Sequence, residues 1–368
     1  MAGFPFMRQA EAFRSSLPFI LLLAVFILPC PMSAAAKPRP AIAFVHLLLP
    51  PGGEPHASPA GWIGSLDRAR DTLESLRIPT IRSSASPGNA EDLNELSEMD
   101  PEVLITTSPL LYAAACDVAK RSPNTVFFAC TDETVHDNMS GFQARTYEAH
   151  YLAGLIAGAL SEDGVIGYLA NDPYQSKASR LRNANAFTLG AQKSKAAIRV
   201  LYAPGNDPDE ELKTLIAAGA DIVDLERALP SLVERLREHS VRYVGTAGRT
   251  VDPLCLAAPE WEWSNAFGDL LTQVRFGIWR PRNVSYGIKE GVVGLSPFGP
   301  AVPETVRVRV REAKEAIRNG ASPFEGPVRD VSGSLRIAEG SVPDDATLRG
   351  MDWRVQGLEP LPLTPDGL

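Results

Sequence analysis

Residues 165–225 read VIGYLANDPYQSKASRLRNANAFTLGAQKSKAAIRVLYAPGNDPDEELKTLIAAGADIVDL. Three short runs rich in apolar residues, Val165–Ala170, Ile198–Ala203 and Asp221–Leu225, have the length and composition of buried strands. Between them, Ala178–Lys193 and Asp209–Ala218 space their apolar residues as helices do. Asp207-Pro208 ahead of Glu210 and Glu211 marks the start of the second helix, where acids complement the amino-terminal dipole. Strand, helix, strand, helix, strand is the pattern of βαβ units, so the strands run parallel and helices cover both sheet faces.

The same alternation extends in both directions. Strands are expected at Ala41–Leu49, Val103–Thr107, Thr125–Cys130 and Arg242–Thr246, and helices at Ile63–Leu76, Leu110–Lys120, Tyr147–Leu160 and Pro230–Glu238. One continuous sheet would need too many strands, so the economical fold class is α/β with two doubly wound parallel-sheet lobes. After Pro281 the pattern changes. Asn283–Glu290 reads as a strand and Glu304–Asn319 as a charged amphipathic helix. The Pro- and Gly-rich remainder, anchored by Ile337, Trp353 and Val355, reads as an extension packing on the body.

The ends and the composition exclude several function classes. Residues 1–36 read as a cleaved export signal, with Arg8 and Arg14, the apolar run Leu17–Leu28, and Ser33-Ala34-Ala35-Ala36 before Lys37. Pro29 and Pro31 interrupt the stretch, which argues against a membrane anchor, and Pro29 stands where acylation signals carry a small residue before a cysteine such as Cys30. The expected location is the periplasm, with lipid anchoring through Cys30 the lesser alternative. The longest later apolar stretch, Tyr151–Leu160, is half a membrane span and reads as a core helix. The 368 residues hold 36 Lys plus Arg against 44 Asp plus Glu, a formal charge of −8. That acidity, without a basic cluster, excludes a nucleic-acid partner. Beyond the leader, Cys116, Cys130 and Cys255 cannot all pair; Cys116 and Cys130 could bridge, but buried free thiols are the expectation.

Catalytic parts are missing. No G-x-S-x-G elbow, Walker A loop or strand-linked G-x-G-x-x-G occurs. The five histidines, 46, 56, 136, 150 and 239, lack metal-ligand spacing. No enzyme activity, metal or cofactor is expected. Two lobes without catalytic parts suit capture of a small molecule in the cleft between them, beyond the carboxyl ends of the strands.

Tyr286-Gly-Ile-Lys-Glu-Gly-Val-Val-Gly-Leu295 and Ser296-Pro-Phe-Gly-Pro-Ala-Val-Pro303 resemble the carboxy-terminal signature of the basic membrane protein (BMP) family, the substrate-binding components of ABC importers for purine nucleosides and related compounds. Tyr147-Glu148 leading into Tyr151-Leu-Ala-Gly154, Ala186-Phe-Thr-Leu-Gly-Ala191 and Ala218-Gly-Ala-Asp221 add to the resemblance. Pro323-Phe-Glu-Gly-Pro327, Met351-Asp-Trp353 and Trp261-Glu262-Trp263 resemble a branch with a Trp-x-Trp strand. The resemblance implies the type I periplasmic-binding fold, with lobes joined by a hinge of three crossings. It implies lobe one at 38–145 plus 252–280, lobe two at 146–251 plus 281–330, and an extension at 331–368. It also implies a monomer working with an ABC permease in the inner membrane, carrying a purine-like nucleobase or nucleoside. A ligand-sensing module of the same fold is the alternative.

Candidate ligand residues follow from the strand ends and the family match. Trp261 and Trp263, two apart on an expected strand, would show both rings on one face. Trp62, in Gly61-Trp62 after the first strand, matches the family's cleft loop. Thr107 and Ser108 end a strand, and Ser108 reads equally as a helix cap. Asp132 follows the next strand and reads as a ligand acceptor or a solvated loop acid. Tyr147 could cap the crossing helix or reach the cleft. Two departures matter. Pro50–Ala60 carries only a displaced Glu54 where the family offers an acid, and Gly245-Thr-Ala-Gly-Arg249 replaces an aspartate pair. Arg249 adds a cation, so a free nucleobase or an acidic solute competes with a nucleoside.

Overall fold

The computed structural model describes residues 39–48, 61–86, 88–131, 133, 136–172, 175–245 and 252–362. The expected export signal and Cys30 lie outside these residues, as do Asp132 and Arg249. Among the described residues no helix is long and apolar enough to cross a membrane.

Lobe one is built first along the chain. Strands β1 (Ile42–Leu47), β2 (Thr80–Ala85), β3 (Val103–Thr106), β4 (Val126–Cys130) and β5 (Met139–Ala144) alternate with helices α1 (Trp62–Ser75), α2 (Glu91–Ser97) and α3 (Tyr112–Ala119). Lobe two follows with α4 (Tyr147–Leu160), β6 (Val165–Leu169), α5 (Lys177–Ser194), β7 (Arg199–Ala203), α6 (Pro208–Ala217), β8 (Ile222–Leu225), α7 (Pro230–Glu238), β9 (Arg242–Gly245) and β10 (Cys255–Ala257). The remaining elements are β11 (Pro259–Trp261), α8 (Ser264–Arg275), β12 (Asn283–Tyr286), β13 (Val293–Leu295), α9 (Glu304–Arg318), β14 (Val328–Arg329), β15 (Leu335–Ile337), α10 (Asp345–Arg349) and β16 (Leu358–Pro360).

Two six-stranded sheets result, in the orders β12-β5-β4-β3-β1-β2 and β10-β9-β8-β6-β7-β16, and every pairing within them is parallel. Central strands are buried on both faces, as IAFVHL in β1 is throughout, because helices cover each side. Edge strands differ. TIRSSA in β2 and the proline-containing β16 are tolerated where a ladder has a free side. Neither the edge strand β2 nor the inner strand β5, which reads MSGFQA between β12 and β4, carries an apolar run, which is why both escape a reading based on hydrophobic patterning.

The crossings correct the expected boundaries. β10 pairs with β9 in lobe two, although residues from 252 onward were expected in lobe one. β12 pairs with β5 in lobe one, although residues from 281 onward were expected in lobe two. Both are edge strands of three or four residues, too short for their own composition to say which sheet they join. The extension does more than pack: β16 adds the last strand to lobe two, and Asn185 of α5 donates to the Trp353 carbonyl (2.8 Å) and accepts from the Val355 amide (2.9 Å). Cys116 and Cys130 are not joined by a disulfide and are buried in different hydrophobic clusters.

Candidate functional site

The connections bring the two carboxyl edges together. β5 ends at Ala144 in lobe one and α4 starts lobe two at Tyr147; β10 ends at Ala257 in lobe two and α8 starts in lobe one at Ser264. Helices of a parallel fold begin at the carboxyl ends of the strands, so both short crossings join carboxyl edge to carboxyl edge. Strand order reverses between β1 and β3 in one sheet and between β6 and β8 in the other, the points where open α/β sheets hold ligands.

On lobe one, Trp62 opens α1 over the end of β3, and its indole nitrogen donates to the Thr107 carbonyl (2.8 Å). The Thr107 hydroxyl lies 3.2 Å from His46 Nδ1, and His46 Nε2 lies 3.3 Å from Asp67 Oδ1. Burial opposes ionisation of Asp67, but contact with His46 and with the guanidinium groups of Arg82 and Arg70 holds its carboxyl below the usual range. A buried chain of polar contacts thus fixes the Trp62 ring. Ser108 caps the turn Pro109–Leu111 by accepting from the Leu110 amide (3.3 Å).

The three expected tryptophans meet. Trp62 stands edge-to-face with Trp261 (5.9 Å, 83°) and with Trp263 (5.2 Å, 83°), and nearly parallel to Phe142 (6.3 Å, 14°). The strand carrying Trp261 ends there, however. Trp263 has helical backbone angles at the cap of α8, because Glu262 turns to accept from the Ser264 amide (3.0 Å). Alternation along a strand therefore does not explain how the rings converge; the turn into α8 does. Trp263 is fully buried, stacked on Phe267 (5.5 Å, 9°), and forms the back of the wall rather than its surface. Trp62 remains partly exposed. The Trp261 indole nitrogen donates to Thr146 Oγ1 (3.3 Å) at the first crossing. Trp261 also lines a cavity of about 690 Å³ beside the antiparallel β11–β13 ribbon, between Arg68 of α1 and Lys314 of α9.

On lobe two, the loops after β6 and β8 are buttoned together. Asn171 donates to the Arg227 carbonyl and accepts from its amide, both at 2.8 Å. Glu226, one residue past β8, accepts from the Tyr168 hydroxyl (2.9 Å) and from the Asp172 amide (3.4 Å). Below it, His150 Nδ1 lies 3.2 Å from Asp224 Oδ2, both fully enclosed. Burial, with the nearby negative charges of Asp172 and Asp224, pushes the Glu226 carboxyl up to about 8 despite His150 and the Tyr168 hydrogen bond.

Tyr147 is not brought to this site. Its ring packs on Phe324 (5.4 Å) under the Arg182 guanidinium (5.6 Å), and burial raises its hydroxyl well above the ordinary value. Its neighbour Glu148 accepts from Arg145 Nε (2.8 Å) and the Ile288 amide (2.6 Å) at the hinge. Arg145 also binds Glu290 and the Ser285 carbonyl, joining the first crossing to the third. Sequence reasoning passed over Glu226, Asn171 and Arg145. Glu226 sits just past a strand end, the same position that nominated Ser108 and Asp132, so that rule applied to every strand would have found it. Among the described residues no cluster of His, Cys, Asp and Glu could hold a metal.

A family model described as ABC transporter substrate-binding protein, PnrA-like (Bmp), matches residues 65–217. A purine-binding protein of Brucella abortus (strain 2308) is 28% identical over 344 residues, 89% of this chain and 95% of that one. A Haloferax volcanii protein, provisionally named an ABC transporter glucose-binding protein, is 27% identical over 77% of this chain and 78% of its own length. Among solved structures, an ABC transporter solute-binding protein from Conexibacter woesei superposes with a TM-score of 0.61 at 17% identity, covering 76% of this chain and 97% of that one, a likeness of fold.

Proposed function

We propose that the chain is a PnrA-like ABC transporter substrate-binding protein, exported and carrying a purine-like nucleobase or nucleoside to an ABC permease. The family model over residues 65–217 and the 28% identity to a Brucella purine-binding protein support this reading. The carrying observation is the lobe-one wall: a partly exposed Trp62 pinned through its nitrogen to Thr107, with Trp261 set edge-on against it. An indole face held at the mouth of a closable gap suits a flat heterocycle, and each stacked aromatic contributes about 1–3 kcal/mol. Purine binding by the Brucella relative supports the same class. In this reading the solute is bound by stacking and hydrogen bonds, enclosed as the lobes close, and released unchanged.

Thermal melting of the protein lacking residues 1–36, with adenine, hypoxanthine, adenosine, inosine and glucose in turn, tests the reading. A ligand present at 100 times its Kd adds about 2.7 kcal/mol to the apparent stability. A purine response is expected. A response to glucose alone would move the assignment to sugars, and silence toward every compound would remove it.

A further inference from the structure

We propose that Glu226 is the lobe-two residue that hydrogen-bonds the polar edge of a bound heterocycle. This rests on the reading of the cleft as a purine-like site and adds what lobe two contributes to it. Glu226 stands at the reversal of strand order between β6 and β8, the lobe-two counterpart of the β1–β3 edge where Trp62 and Thr107 lie. Its backbone amide donates to the Leu169 carbonyl (3.2 Å), which places the residue at the last rung of the β6–β8 ladder. The Asn171–Arg227 pair then fixes the loops on either side.

The surroundings set the chemistry that Glu226 offers. Among the described residues, His150 from α4, Asp172 from the loop after β6, Tyr168 from β6 and Asp224 from β8 act on it, and it in turn adds to burial in raising the Tyr202 hydroxyl of β7. Tyr168 spends its hydroxyl proton on Glu226 Oε1, and burial keeps that hydroxyl protonated. Glu226 itself is held largely neutral at pH 7 by its enclosure and by the two aspartates. A neutral carboxyl group donates as well as accepts. It can give a hydrogen bond to a ring nitrogen or a carbonyl oxygen, which an ionised carboxylate cannot do. With Gly245-Thr-Ala-Gly-Arg249 in place of an aspartate pair, Glu226 would let lobe two address an acceptor group of the ligand, which an ionised carboxylate does not.

The test is calorimetric titration of the wild type, Glu226→Gln and Glu226→Ala with adenine and with adenosine at pH 7 and pH 9. With a carboxyl near 8, the protonated fraction falls about tenfold between these pH values, and apparent affinity falls with it. The wild type is expected to lose about tenfold. Glu226→Gln keeps a donor and an acceptor that do not titrate, so it should bind at pH 7 and show no such step. Glu226→Ala should bind at least tenfold more weakly at both. A wild type that binds, with Glu226→Gln sharing its pH step or Glu226→Ala matching its affinity, overturns the role of Glu226 and leaves the purine reading standing. A wild type that answers neither probe overturns the role, and the melting panel above then decides the purine reading separately.

Discussion

Two tryptophans 5.2 Å apart do different work. Trp263 is enclosed by Phe142, Phe267, Tyr286 and Trp62, so its ring fills core volume. Trp62 keeps part of its surface open and is held by one hydrogen bond and its neighbours' edges. Trp263→Ala is therefore expected to cost about 3–5 kcal/mol of stability, through the cavity it leaves, measured by urea unfolding. Trp62→Ala is expected to weaken purine binding by about 1–3 kcal/mol, read by titration calorimetry, while lowering stability less than Trp263→Ala does. Equal stability losses with unchanged affinity would place Trp62 in the core as well. That all three tryptophans belong to one wall was legible from Gly61-Trp62 and Trp261-Glu-Trp263. Their division into surface and backing was not, because it depends on the turn at Glu262, which a strand reading of the motif does not contain.

At the level of elements, α4 and α5 show why some patterns were read easily and others not. YEAHYLAGLIAGAL is apolar around its whole circumference because α4 is sandwiched between the lobe-two sheet, α5 and α9. Its glycines serve close approach: a Cβ on Gly158 would collide with the Ala191 backbone of α5, and one on Gly190 with the Tyr151 backbone of α4. Gly158→Leu should therefore force the helices apart and destabilise by at least the 1–3 kcal/mol typical of overpacking, visible as a lower melting temperature. An unchanged melting point would mean the helices can slide without cost. α5 has little amphipathic contrast because polar Arg182, Asn183 and Asn185 are buried too. Arg182 and Asn185 hold the carboxy-terminal extension, a partner more than 160 residues away in sequence.

Across the whole molecule, the signature that carried the family resemblance has a mechanical place. Tyr286-Gly-Ile-Lys-Glu290 forms the third crossing, and Arg145 from the first crossing is clamped to it through Glu290, the Ser285 carbonyl and, by way of Glu148, the Ile288 amide. Enclosed between Glu148 and Glu290, Arg145 stays fully charged. Arg145→Ala would strand the buried Glu148 carboxylate without its cation, and breaking such a pair costs about 3–5 kcal/mol. Urea unfolding should show that loss, together with weaker purine binding, since both crossings set how the lobes meet. A variant of wild-type stability would show that the clamp is dispensable.

Local composition was enough to establish the alternation of strand and helix and the two parallel-sheet lobes, because a strand buried on both faces must be apolar wherever it lies, and because glycine and proline mark the same turns in any context. Which sheet β10 and β12 join, which tryptophan meets solvent, and the gathering of Glu226, His150, Asp224 and Tyr168 under one sheet edge were settled only on folding. Each of these is a relation between residues far apart in sequence, decided by the free energy of burying charge and ring surface together, and no single segment carries that term.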